Sequence, residues 1–195
     1  MKAREWQRMF ENQRRVHRKT VFTFTELANV SGSAPQVLNV ELDRLRKQGI
    51  VARYSRGLYG LPGAVTPEEL LEHLDSRAYI TGAYALYRHN LITQIPVEIT
   101  CFTDRRHNRS RIRTTPVGRF AFVCVRTRVY LPPSPDQLAG PEQALCDTVL
   151  LLRRSGVAPK NLLTFRELHR LDEAVLKDTA SRYPATVRRA LVGIT

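Results

Sequence analysis

A chain of 195 residues that is 43% hydrophobic can bury one good core or two small ones, and it holds no eighteen-residue apolar run with which to cross a bilayer. The opening MKAREWQRMF lacks the apolar centre of a signal peptide, so a cytoplasmic protein is expected. A net charge of +13 and a pI near 10.4 argue for a polyanionic partner.

The charge is concentrated. Residues 1–63 hold twelve Lys/Arg against five Asp/Glu, and residues 104–128 hold eight Arg against one Asp. Cys101, Cys124 and Cys146 are odd in number and widely spaced, which fits neither a disulfide framework nor a metal-ligand spacing. All three stand in apolar contexts and are expected as small buried hydrophobes.

Residues 3–19 repeat apolar side chains at helical spacing through Trp6, Met9, Phe10 and Val16, a thin stripe among charged neighbours. Val21 and Phe22 suit a short strand. Thr23 and Glu26 have capping-box spacing, which starts a helix from Phe24 to about Val30, closed by Ser31-Gly32. Ser33 is expected to cap the next helix, with Pro35 in its first turn. In SAPQVLNVELDRLRKQG, Leu38, Leu42 and Leu45 recur on one face, and Gly49 ends the helix. At about 100° per residue, Gln36, Asn39, Val40, Asp43 and Lys47 project from the other side. VARYSRGLYGL then reads as a strand, a tight Arg56-Gly57 tip and a second strand, with Ile50, Val51, Leu58 and Leu61 facing inward. Helix, strand, helix, turn, helix, hairpin is the order of a winged helix-turn-helix, here over residues 1–63.

PGAVTP marks a boundary, after which residues 64–195 read as a mixed α+β domain with a helical C-terminal tail, making the whole chain α+β. A capped helix is expected over 66–74 and a short one over 82–89. Residues 97–103 and 119–126 are strand-like, with a basic loop between them. GPEQALCDTVLLLRRSG is a strong helix with Pro141 and Glu142 at its start and Arg153-Arg154 at its end. In it Ala144, Leu145 and Val149 are expected in the core. Two or three amphipathic helices follow over 164–192.

A third helix entering a major groove N-terminus first would bring Gln36 and Asn39 to base edges, where an amide donates and accepts at once against adenine. Ser31 and Ser33 would stand near phosphates. Lys47, Arg53 and Arg56 would bind backbone, with Arg56 at the wing tip also within reach of a minor groove. Asp43 repels phosphate unless it reads a cytosine amino group or pairs with Lys47 one turn on. The alternative is a solvated helix face in a module that contacts protein or RNA. Arg105, Arg106, Arg109, Arg111 and Arg113, with Arg119, form either a second phosphate-contacting surface or a solvated loop.

Catalytic patterns are missing from the sequence: there is no Gly-rich phosphate loop, nucleophile elbow, HExxH or paired-cysteine site. No metal or cofactor is expected, and none of the five His is expected as a ligand. A metal-dependent nuclease would draw on Glu98 in VEITCF, which lacks the acid-and-lysine companions of such a strand.

VFTFTELANVSGSAPQVLNVELDRLRKQGIVARYSRGLYGLP resembles the N-terminal domain of the AbiEi antitoxins, the transcription-repressing half of the AbiE type IV abortive-infection toxin-antitoxin systems. YITGAYALYRHNLITQIPVEITCFT and AGPEQALCDTV are similar to two motifs of that family's second domain, so the resemblance spans roughly 20–155. It implies a promoter-binding, autoregulating repressor that counters a nucleotidyltransferase toxin and is not itself an enzyme. On the matching positions it implies DNA contacts by Ser33, Gln36, Asn39, Lys47, Arg53 and Arg56. The expectation is a sequence-specific double-stranded DNA-binding repressor; the rival is an RNA-binding or protein-docking module.

Overall fold

Trp6 and Phe10 lie one helical turn apart, stack with ring centroids 5.7 Å apart and are wholly buried, anchoring helix α1 (Ala3–His17). In the computed structural model, which describes residues 1–107 and 110–194, the chain is mixed α+β. It divides into two units: Met1–Leu74 with Thr115–Val117, and Asp75–Thr114 with Gly118–Thr195.

In the first unit, α1 is followed by β1 (Val21–Thr23), α2 (Phe24–Ser31), α3 (Pro35–Lys47), β2 (Ala52–Ser55), β3 (Leu58–Gly60) and α4 (Pro67–Leu74). The capping box forms as expected: Thr23 Oγ1 accepts from the Glu26 N–H at 3.2 Å, and Glu26 Oε2 accepts from the Thr23 N–H at 2.8 Å. Gly32, left-handed at φ 63°, closes α2. The cap of α3 differs from expectation, because Ala34 and not Ser33 is its first flanking residue; Pro35 supplies the preset φ in the first turn, and no side chain caps it. Beyond α3, Gly49 (φ 71°) lets Ile50 N–H reach back to Leu45 O at 3.0 Å, a Schellman-type closure. Strand β3 pairs antiparallel with both β1 and β2, giving sheet order β1-β3-β2. Trp6, Phe10, Phe22, Leu27, Leu38, Leu42, Leu45, Val51 and Tyr59 make the core, while Val16 is exposed and falls outside it. The unit runs on past Pro62 to include α4, whose Glu69 carboxylate accepts from Thr20 Oγ1 at 3.0 Å.

Apart from Thr115, the last residue of β6, the second unit carries β4 (Tyr79–Thr81), α5 (Gly82–Arg88), β5 (Glu98–Thr103), β6 (Ile112–Thr115) and β7 (Gly118–Cys124). Then come α6 (Pro141–Arg154), α7 (Pro159–Leu162), a single 3-10 turn (Leu168–Arg170), α8 (Glu173–Ser181) and α9 (Ala185–Val192). The sheet order is β4-β5-β7-β6, with β5 antiparallel to β4 and parallel to β7. Part of the stretch read as a basic loop is thus the strand β6, where Ile-Arg-Thr-Thr supplies β-branched residues at a sheet edge. Helix α6 is the buried axis, hidden continuously from Glu142 to Leu150, with Ala144, Leu145 and Val149 in the core.

Candidate nucleic-acid interface

Burial of Leu38, Leu42 and Leu45 fixes the rotation of α3 and leaves one stripe of it outward. Gln36, Asn39, Val40 and Lys47 are exposed on that stripe, Val40 at 72%, with Asp43 half-buried among them. The turn before the helix is held by Ser31: its hydroxyl donates to Ala28 O at 3.3 Å and accepts from the Ser33 N–H at 3.2 Å. Ser33 itself is half-buried.

Asp43 accepts from Lys47 Nζ at 2.8 Å and from Arg46 Nη2 at 2.7 Å. Those two hydrogen bonds, Lys47 first, hold its carboxyl below the usual aspartate range. The Asp43–Lys47 pairing weighed in the sequence is therefore present, with Arg46 as a second partner. The helix end presents Lys47 and Arg46 already partly neutralised.

Arg53 and Arg56 are both exposed on the hairpin. Arg53 Nε donates to Ser55 O at 3.3 Å, which braces its side chain along β2, and Arg56 stands at the tip beside Gly57 (φ 76°). The first unit can thus offer the exposed amides Gln36 and Asn39, the exposed valines Val37 and Val40, and several guanidinium or ammonium groups from α3 and the hairpin.

The basic segment of the second unit is sorted by structure into different environments. Arg105 is exposed; Arg109 lies outside the described residues. Arg113 is drawn inward: its guanidinium sits 4.9 Å from the Phe122 ring centroid and Nη2 donates to His107 Nδ1 at 3.0 Å. With Nδ1 accepting, His107 uses Nε2 as donor toward Asp75 Oδ2 at 3.0 Å. Asp75 is buried and also accepts from Thr103 Oγ1 at 2.8 Å and the Arg77 N–H at 3.0 Å. Arg106 and Arg111 line a cavity of about 1010 Å³ together with Arg126 and Arg154.

Cys124 also lines that cavity and is exposed, contrary to the expectation of three buried thiols. It shares a sheet face with Phe120 and Phe122, but β7 ends where that face opens to solvent. Burial pushes the Cys101 thiol well up and the Cys146 thiol up to about 12.

A second polar cluster is fully enclosed. Asp147 accepts from Thr81 Oγ1 at 2.8 Å, Tyr183 Oη at 2.6 Å and Gln143 Nε2 at 3.2 Å. Burial raises its carboxyl to about 7 against the pull of those donors. Burial and the neighbouring carboxylate also drive Tyr79 and Tyr183 above the usual phenol range. These residues knit β4, α6 and the segment after α8, a positioning role for the PEQALCD stretch.

Glu98, the acid a nuclease reading would need, is bound to Arg119 Nε at 3.2 Å. Sequence reasoning overlooked Asp75, His107, Arg126 and Arg154, which are too far apart along the chain to form a motif. A histidine set among arginines was the one local hint. No protein-family model matches this chain, and no curated protein is similar to it.

Proposed function

We propose that the chain is a sequence-specific double-stranded DNA-binding repressor whose first unit is a winged helix-turn-helix, with α3 as the reading helix and the β2–β3 hairpin as the wing. The observation that carries this reading is the outward stripe of α3, where Gln36, Asn39 and Val40 are exposed opposite a sealed leucine face. Amides of that kind pair with adenine edges, and an exposed valine suits a thymine methyl. Lys47, Arg53 and Arg56 supply phosphate contacts that set register, and occupancy of a promoter blocks transcription.

The AbiEi-like antitoxin role, the nucleotidyltransferase toxin as functional partner and the cytoplasmic location belong to this proposal and rest on the resemblance. Among the described residues no helix is long and apolar enough to cross a membrane. We assign the chain no catalytic residue and no cofactor.

The test is selection of a preferred duplex from random sequence, followed by mobility shifts on that duplex and on scrambled DNA across salt. A preferred duplex bound far more tightly than the scrambled one supports the reading. Equal affinity for both, or displacement of the duplex by transfer RNA at fixed ionic strength, sinks it. Relief of a neighbouring nucleotidyltransferase's toxicity on co-expression tests the antitoxin role.

A further inference from the structure

The cavity beside β7 is lined by arginines brought from four separate places: Arg106 after β5, Arg111 before β6, Arg126 after β7 and Arg154 in the last turn of α6. All four are exposed, and among the described residues none is ion-paired. Among the described residues no carboxylate lines the space. Phe122, Val123, Cys124 and Val125 line it from the end of β7 and beyond, with His107 and Ser110 beside the arginines. Like charges gathered in one recess repel each other unless an anion sits among them.

We propose that this recess is a binding site for a small oligophosphate ligand of the nucleoside triphosphate class. Size and charge carry the choice. A volume of about 1010 Å³ matches a small-molecule site rather than the long track that a duplex backbone needs. A single phosphate would leave most of the four positive charges unanswered, whereas a triphosphate chain carries enough charge to meet them, and guanidinium forks fit its oxygens two at a time. The volume beyond what a triphosphate chain fills leaves room for the nucleoside. This site lies wholly in the second unit and does not depend on DNA reading by the first.

Calorimetric titration of the full chain with ATP, inorganic triphosphate and adenosine tests it. ATP should bind once per chain, inorganic triphosphate should compete, adenosine should not bind, and added salt should weaken the complex. Replacing two of the arginines at once, Arg126→Gln with Arg154→Gln, should weaken ATP by at least about tenfold. Arg56→Gln in the first unit should leave ATP affinity unchanged. Arg126→Lys, which keeps the charge and loses the fork, gives a milder loss and serves if the double variant fails to fold. Unchanged affinity in the folded cavity variants, or adenosine binding as well as ATP, would overturn the proposal. So would a duplex that displaces ATP through Arg126 and Arg154, because the recess would then be a DNA contact.

Discussion

Arg113 donates to Nδ1 of His107 at 3.0 Å while the ring's other nitrogen faces Asp75 at 3.0 Å, so one imidazole joins an edge strand to a buried carboxylate. Removing the ring takes a donor from Asp75 and an acceptor from Arg113 together. His107→Ala should cost about 1–3 kcal/mol in urea unfolding, the range for stranding a buried polar group. His107→Gln, which can keep one of the two bonds, should cost less. Equal, negligible losses would mean that the chain of bonds carries no stability.

Gly60 is required for a different reason. A Cβ there would meet Thr20 O at 2.3 Å, and that backbone atom cannot swing aside. Gly60→Ala should destabilise the first unit by about 1–3 kcal/mol, as overpacking does. At Gly57 the space is open and only the positive φ matters, so Gly57→Asn should be much milder than Gly57→Val. Thermal melts of the three variants rank these effects.

Asp147 binds protons more readily folded than unfolded, since burial lifts its carboxyl from an ordinary 3.8 to about 7. The folded state therefore holds the extra proton between about pH 4 and 7, and stability falls as pH rises through that window. Asp147→Asn cannot ionise. Its stability relative to the natural chain should improve as pH goes from 4 to 8, by a change on the order of a few kcal/mol. Parallel slopes for the two proteins would show that the carboxyl does not titrate there.

On DNA, Gln36→Ala or Asn39→Ala should cost about 1–3 kcal/mol at one base position and little on scrambled duplex. Arg56→Ala should weaken all sequences and reduce the salt slope by about one contact. An equal loss on preferred and scrambled DNA for Asn39→Ala removes that residue from base reading.

Asp43 supplies the complementary case. Asp43→Ala releases Lys47 and Arg46 from their shared carboxylate, so affinity for any duplex should rise and the salt dependence steepen. A loss of affinity confined to one base pair would instead assign Asp43 to reading cytosine.

Where a local rule sufficed, the amino-acid sequence by itself determined the outcome. The Thr23–Glu26 box, Gly32 and the Leu38–Leu42–Leu45 spacing act within one or two turns, and with them the outward stripe of α3 is legible in the sequence. Edge strand β6 and the exposed end of β7 at Cys124 were not, because they depend on what a neighbouring segment covers or leaves open. Only the tertiary structure decided the fate of the arginines. Whether an arginine packs on Phe122, as Arg113 does, or lines a recess, as Arg126 and Arg154 do, is set by partners on other elements. Charge density is written along the chain, but the field it makes depends on how the folded chain gathers those charges in space.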